Sequence, residues 1–255
     1  MKALYSIFIF ILGLIMGSFY NVVGLRLPKK QSLITPRSYC PECNHQLKWY
    51  ENIPVLSYLF LKGKCKNCKE PISLMYPLIE LLTGIMFLLN YLLFDFTEQF
   101  YISLVISSLL SIIFVSDTKY YIIDDEPLIA SAILIIIIRY IFEGPSCILN
   151  IIVGGTSAFL FAYSLRIFGF IVFKQEALGG GDIKLSFLAG IILGGKLGIL
   201  YIIFASFLAF PYAIYISFKK SNMVPFGPFL ITSLYIIFLN MDKFNLLIQH
   251  LLNFK

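Results

Sequence analysis

The sequence predicts an all-α polytopic membrane protein of about eight helices, with one small cysteine-bearing loop domain. Three observations lead there. Hydrophobic residues make up 59% of the 255 positions and charged residues only 13%, about half the roughly 25% of a soluble domain, and mean hydropathy is +0.86. Apolar runs such as 128–138 and 197–218 are continuous, without the period-two alternation of a membrane strand, which excludes a closed barrel. One sizeable polar stretch, 26–74, interrupts the apolar pattern.

The first apolar segment, 3–25, follows Lys2 as a signal peptide would. Its length argues against cleavage, and Gly17-Ser-Phe-Tyr-Asn21 does not look like a processing site, so it is expected to remain as a helix. Further segments follow at 75–94, 100–115, 127–142, 148–173, 185–193, 197–218 and 228–239. Several approach the ~20 residues needed to cross a bilayer. The run 148–173 is long enough to tilt or to extend beyond the bilayer, whereas 185–193 is short. The amphipathic tail 244–254 either lies along the outer interface or packs on the bundle. The resulting organisation is a first helix (1–25), a loop domain (26–74) and a membrane domain (75–255).

Lysine and arginine placement orients the chain. With the loop inside, inner segments hold fifteen basic residues: nine in 26–74, then Lys119, Arg166, Lys174, Lys184, Lys219 and Lys220. Outer segments hold the other five, Lys2, Arg139, Lys196, Lys243 and Lys255. The net charge of +6 thus reflects orientation and attraction to anionic lipid. Nucleic acid is not an expected partner. On this topology Asp117 and Asp182 both lie at the cytoplasmic face.

The loop carries Cys40-Pro-Glu-Cys43 and Cys65-Lys-Asn-Cys68, separated by 21 residues. Two such knuckles can set four thiolates around zinc in a tetrahedron, with a gap slightly beyond the usual 15–20 or so. The alternatives are two disulfides, disfavoured in a reduced cytoplasm, or four unligated thiols. Four cysteines would close the coordination shell, so the metal would be structural. His45 is a conceivable substitute ligand, more simply a surface histidine, and Cys147 reads as a helix-end residue. Trp49 and Tyr50, between the knuckles, suit either a small core or an interfacial anchor.

The chemistry-bearing stretch is Glu176-Ala-Leu-Gly-Gly-Gly-Asp-Ile-Lys184. It places Asp182 behind three glycines at the start of an apolar helix, where a charge is costly and functional by default. Glycines such as Gly179 and Gly181 permit close backbone approach. Asp117 ends another apolar span on the same predicted side. Each acid alone reads as a solvated helix end or a helix cap. Together they suit two carboxylates sharing a water, one as base and one as acid, acting on a peptide bond. Lys184 would face away from Asp182 on a regular helix and is assigned an accessory role.

These residues resemble the type IV prepilin peptidases, and the resemblance covers nearly the whole chain. Gly17-Ser-Phe-Tyr-Asn-Val-Val-Gly-Leu-Arg-Leu-Pro28 is similar to that family's GSFxNV…RxP signature. The cytoplasmic loop pattern recurs in the four cysteines with Trp49, Pro54, Tyr58, Gly63, Tyr76-Pro77 and Glu80, the GxGD motif in 176–185, and PFGPFL in Pro225 to Leu230. The resemblance implies a prepilin or pseudopilin substrate: a short basic leader, a glycine, then an apolar helix, cut after the glycine at the cytoplasmic face of the inner membrane. It places Asp117 and Asp182 as the catalytic pair and Asp125 as a supporting residue. It also implies N-methylation of the new terminus from S-adenosylmethionine; no cofactor fingerprint in the loop supplies this independently. One departure stands out: the family's I-P-D or L-P-D triplet is here Ile123-Asp124-Asp125.

Two other classes compete. A transporter or channel with a zinc-stabilised loop would also use intramembrane acids and glycine breaks. Charges are nearly absent from the span centres, however, and no inverted repeat is evident. A noncatalytic pilus-assembly protein is the other alternative, since a fold does not guarantee an activity.

Overall fold

The computed structural model describes residues 1–174, 178–218 and 224–253. Glu176, Lys219, Lys220, Lys255 and Phe254 of the sequence reading lie outside the described residues. Within them the chain is helical, with α1 (Lys2–Arg26), α2 (Leu56–Phe60), α3 (Met75–Phe94), α4 (Glu98–Tyr120), α5 (Asp125–Glu143), α6 (Cys147–Phe173), α7 (Gly180–Phe218), α8 (Gly227–Leu239) and α9 (Met241–Asn253). The only pairings of strand type among them are two isolated bridges in the loop.

Each of the eight predicted apolar segments is helical, but they group into fewer runs. Five runs are long and apolar enough to cross a membrane, or six if α8 and α9, bent by 90°, count as one. The difference from eight arises because 125–172 and 180–218 each join two predicted segments. Inside α7 the join is Gly194, at φ 77° and ψ 173°, a conformation that side chains disfavour. A straight helix would hold residues 190 and 198 about 12 Å apart. Instead a Cβ on Gly198 would lie 3.0 Å from the Gly190 Cα, and the Ser186 and Tyr201 hydroxyls are hydrogen-bonded. The chain therefore doubles back at Gly194, with limb 180–193 running one way and limb 195–218 the other. Arg139 of α5 caps the reversal, donating from Nη1 to the Ile191 carbonyl at 3.0 Å and from Nη2 to that of Ile192 at 3.2 Å.

The centre of the bundle is α4, buried against α1, α3, α5 and α8. Its serines satisfy one another's neighbours in an apolar interior, where unpaired polar groups are costly. Asn90 donates to Ser107 at 2.8 Å and accepts from the Tyr235 hydroxyl at 2.8 Å, and Thr83 and Ser111 share a bond at 2.7 Å. Phe244 of α9 packs edge-on against Phe204, so the tail is held against the bundle.

Two ends result. Lys2 lies 3.8 Å from Asp95 at one. At the other, Lys29, where the loop begins, sits over the ring of Tyr120, three residues past Asp117.

Candidate functional site

Three segments meet at that second end. Helix α4 stops where Tyr121 turns left-handed, its N–H returned to the Asp117 carbonyl at 3.0 Å. Asp117, in the last turn, is only 6% exposed, and its Oδ2 accepts the N–H of Gly227 at 2.9 Å. Asp182 stands in the first turn of α7 and accepts the Gly179 N–H on Oδ2 at 3.0 Å. Unpaired amides at both helix starts favour carboxylates there.

Ile123 is the wedge between the two. A Cβ on Gly181 would lie 2.8 Å from the Ile123 Cβ, and one on Gly227 would lie 2.9 Å from both the Ile123 Cδ1 and the Asp117 Oδ2. Only backbone fits at either point. Asp117 beside Gly227 and Asp182 next to Gly181 thus stand on segments that converge on Ile123. Asp125 and Lys184 form a separate pair beside them, with Nζ 2.7 Å from each carboxylate oxygen. Lys184 is thus committed to Asp125, at the mouth of the site.

The departure at Asp124 has a local consequence. Its Oδ2 is buried without a hydrogen-bond partner, although the residue stands at the N-terminus of α5. Burial, then the negative charges of Glu126 and Asp125, pushes its carboxyl up to about 6.

In the loop, the sulfurs of Cys40, Cys43, Cys65 and Cys68 all lie within 4.8 Å of one another, 3.8 Å for Cys40–Cys68 and 3.9 Å for Cys43–Cys65. None is disulfide-bonded; together they can hold a metal ion. The two knuckles are built alike, 25 residues apart. Cys40 N–H donates to the His45 carbonyl and Cys65 N–H to that of Glu70, while Asn44 and Lys69 donate back to Cys40 and Cys65. Asn44 and Lys69 are both left-handed, and the bridges Tyr39–Gln46 and Lys64–Pro71 close each unit. The backbone N–H of His45 and the Asn67 side chain bring the Cys43 thiol down to about 6, toward the thiolate that metals bind.

His45 is bonded to Glu51, Nε2 to Oε2 at 3.1 Å, and does not join the sulfurs. Trp49 is 80% exposed, which removes it from any loop core. The loop is tied to the bundle through Glu80 of α3, whose Oε2 accepts the Val55 N–H at 2.7 Å, while Asn21 joins α1 to α3, its Nδ2 donating to the Tyr76 carbonyl at 3.1 Å.

The sequence reading missed three of these features. Gly227 was legible only as part of a motif, although a glycine between Phe226 and Pro228 at a helix start is itself a sign of close approach. The 25-residue repeat shares only its cysteines, so hydrogen bonding reveals it and side chains do not. Ile123 carries no chemical signal.

Residues 11–94 match the Bacterial Peptidase A24 N-terminal domain, and residues 104–214 match the Type IV leader peptidase family. The chain is 34% identical over 253 residues to the prepilin leader peptidase/N-methyltransferase of Vibrio cholerae, covering 93% of this chain and 98% of that one. The Bacillus subtilis protein of the same name is 38% identical over 195 residues, 74% of each chain. The Myxococcus xanthus protein is 38% identical over 203 residues, 80% of this chain and 60% of its own length. No solved structure matches the chain.

Proposed function

Because the chain belongs to the Type IV leader peptidase family, we propose that it is a membrane aspartyl endopeptidase that removes the basic leader of a prepilin after a glycine at the cytoplasmic face. The observation that carries this reading is the convergence of Asp117 and Asp182 around Ile123, each held by one backbone N–H. A water between the carboxylates loses a proton to the ionised one as its oxygen attacks the scissile carbonyl. The protonated partner donates to the carbonyl oxygen. The tetrahedral intermediate then collapses, with the proton passing to the leaving amine. Two close carboxylates titrate as a pair, which supplies one of each form near neutrality. Orientation follows from the basic loop, which shares the aspartates' end.

The four cysteines suit zinc. A tetrahedron with Zn–S of about 2.3 Å has edges of about 3.8 Å, and two of the sulfur pairs stand at 3.8 and 3.9 Å, with all four sulfurs within 4.8 Å of one another. With four thiolates the shell is closed, so the ion would fix the loop and take no part in hydrolysis.

N-methylation of the new terminus extends the proposal, since the relatives' name includes it. S-adenosylmethionine, when bound, supplies the methyl group. At the junction of loop and bundle the buried Asn21 Oδ1 has no hydrogen-bond partner, and the Glu80 carboxylate stands in the same region. Asn21 and Glu80 are the residues suited to hold the donor's amino end and to orient the incoming terminus.

The test is co-expression with a prepilin, followed by intact mass of the product. Leader loss with the native chain, absent in Asp117→Ala and Asp182→Ala at equal membrane levels, supports the reading. A further ~14 Da marks methylation, which adds one CH₂ to the amine. Cleavage that persists without either aspartate overturns it.

A further inference from the structure

Beside the aspartates a cavity of about 450 Å³ runs between α5, α6 and the first limb of α7. Its walls include Ala132, Ile133 and Ile136 of α5, Phe159 of α6 and Phe187 of α7. Ile133 is more than half exposed and Phe159 and Phe187 partly so, so the groove opens sideways toward lipid. Its polar members are satisfied: the Thr156 hydroxyl donates to its own helix at Ile152, and Lys184 and Asp125 pair with each other at the mouth. Nothing along the walls asks for a hydrogen bond, which suits a helix whose backbone is internally bonded and excludes an extended chain needing partners.

We infer that this groove seats the apolar helix that follows the scissile bond of the substrate. The inference rests on the peptidase reading. Two observations select this occupant. The mouth adjoins the candidate site, because the Lys184–Asp125 pair joins the first turn of α7 to the segment 123–125, whose Ile123 abuts Gly181 and Gly227. The groove also faces lipid, and a membrane-anchored substrate must arrive from there. An apolar helix lying along α5 would place the segment just before it at the level of the Lys184–Asp125 pair, beside the carboxylates. Ala132 leaves the space that a large side chain would fill.

The experiment uses the full chain in membranes with a tagged prepilin, after confirming that the unsubstituted chain removes the leader. A photoreactive benzoylphenylalanine at Ile133 is compared with one at Phe207, an exposed residue of the other α7 limb. The expected result is an enzyme–prepilin adduct from Ile133, mapping to the substrate's apolar helix, and none from Phe207. In parallel, Ala132→Trp should raise KM for prepilin about tenfold with kcat within about twofold, as expected when about 60 Å² of apolar contact is lost. Normal leader removal with only lipid adducts at Ile133, or equal adducts from both positions, overturns the groove while leaving the peptidase intact. Absence of leader removal by the unsubstituted chain overturns the activity itself, and the groove with it. If Ala132→Trp fails to accumulate, the Ile133 adduct decides alone.

Discussion

The backbone N–H of Gly227 donates to the Asp117 carboxylate across 110 residues of sequence. The start of α8 is thereby fixed to the end of α4, and one oxygen of a buried acid is held in place. A methyl at Gly227 would press on that oxygen and on Ile123 and Ile113 at once, at 2.9 to 3.0 Å. Gly227→Ala should therefore lower leader removal about a hundredfold, the scale set by misplacing a reacting group by an ångström. Product mass per unit of membrane-inserted enzyme measures it. Normal turnover would show that Asp117 does not depend on this contact.

Gly181 and Gly180 provide an internal contrast. The Gly181 Cβ would meet the Ile123 Cβ at 2.8 Å, whereas nothing lies within 4 Å of one on Gly180. Gly181→Ala should cost at least about tenfold in cleavage by pushing the Asp182 turn away from Ile123. Gly180→Ala should leave it near the native rate. Equal effects from the two would mean that the glycines act through chain flexibility and not through packing.

The sequence made the helices and the aspartate pair legible for different reasons. Long apolar runs announce themselves because lipid leaves the backbone no other choice. Asp117 and Asp182 stood out because charge is rare beside such runs. What was not legible is how runs combine. The break at Gly194 was visible as a gap between two apolar segments, but its sharp reversal rests on contacts between Gly190 and Gly198 that no local pattern encodes. Likewise the exposure of Trp49 and the pairing of His45 with Glu51 depend on how the loop closes.

The cysteine cluster predicts one zinc per chain by elemental analysis, falling to near zero in Cys65→Ser. Metal removal should open the loop selectively, since a structural site of this kind supplies folding energy directly. Limited trypsin treatment should then cut at loop lysines such as Lys48 and Lys62, while the α4–α7–α8 junction stays resistant. A loop equally protected with and without chelator would show that contacts such as Glu80 to Val55 hold it unaided.

Asp124 makes stability depend on pH. Its carboxyl is raised to about 6 by burial and by the neighbouring acids, against about 3.9 in an unfolded chain. The folded state therefore binds more protons between those values, and stability falls as pH rises from about 4 to about 6. Above that the full penalty remains, of order 1 kcal/mol after screening. Asp124→Asn should raise the thermal midpoint at pH 7.5 and lose that advantage on approaching pH 4. An advantage independent of pH would assign the gain to packing instead.

Arg139 closes the other end of the first α7 limb. Its two amines satisfy the carbonyls of Ile191 and Ile192, which the reversal at Gly194 deprives of helical partners. Its Nε, buried without a hydrogen bond, lies 4.0 Å from Glu98 and 3.9 Å from Glu143. Arg139→Leu would strand two carbonyls and two partly buried carboxylates together, costing about 3 kcal/mol. The thermal midpoint in detergent should drop accordingly. Adding Glu98→Gln and Glu143→Gln should recover part of the loss, because the uncompensated charges are then gone and only the carbonyls remain unpaired. If the triple variant is no more stable than Arg139→Leu alone, the carbonyl bonds account for the whole effect and the glutamates are spectators.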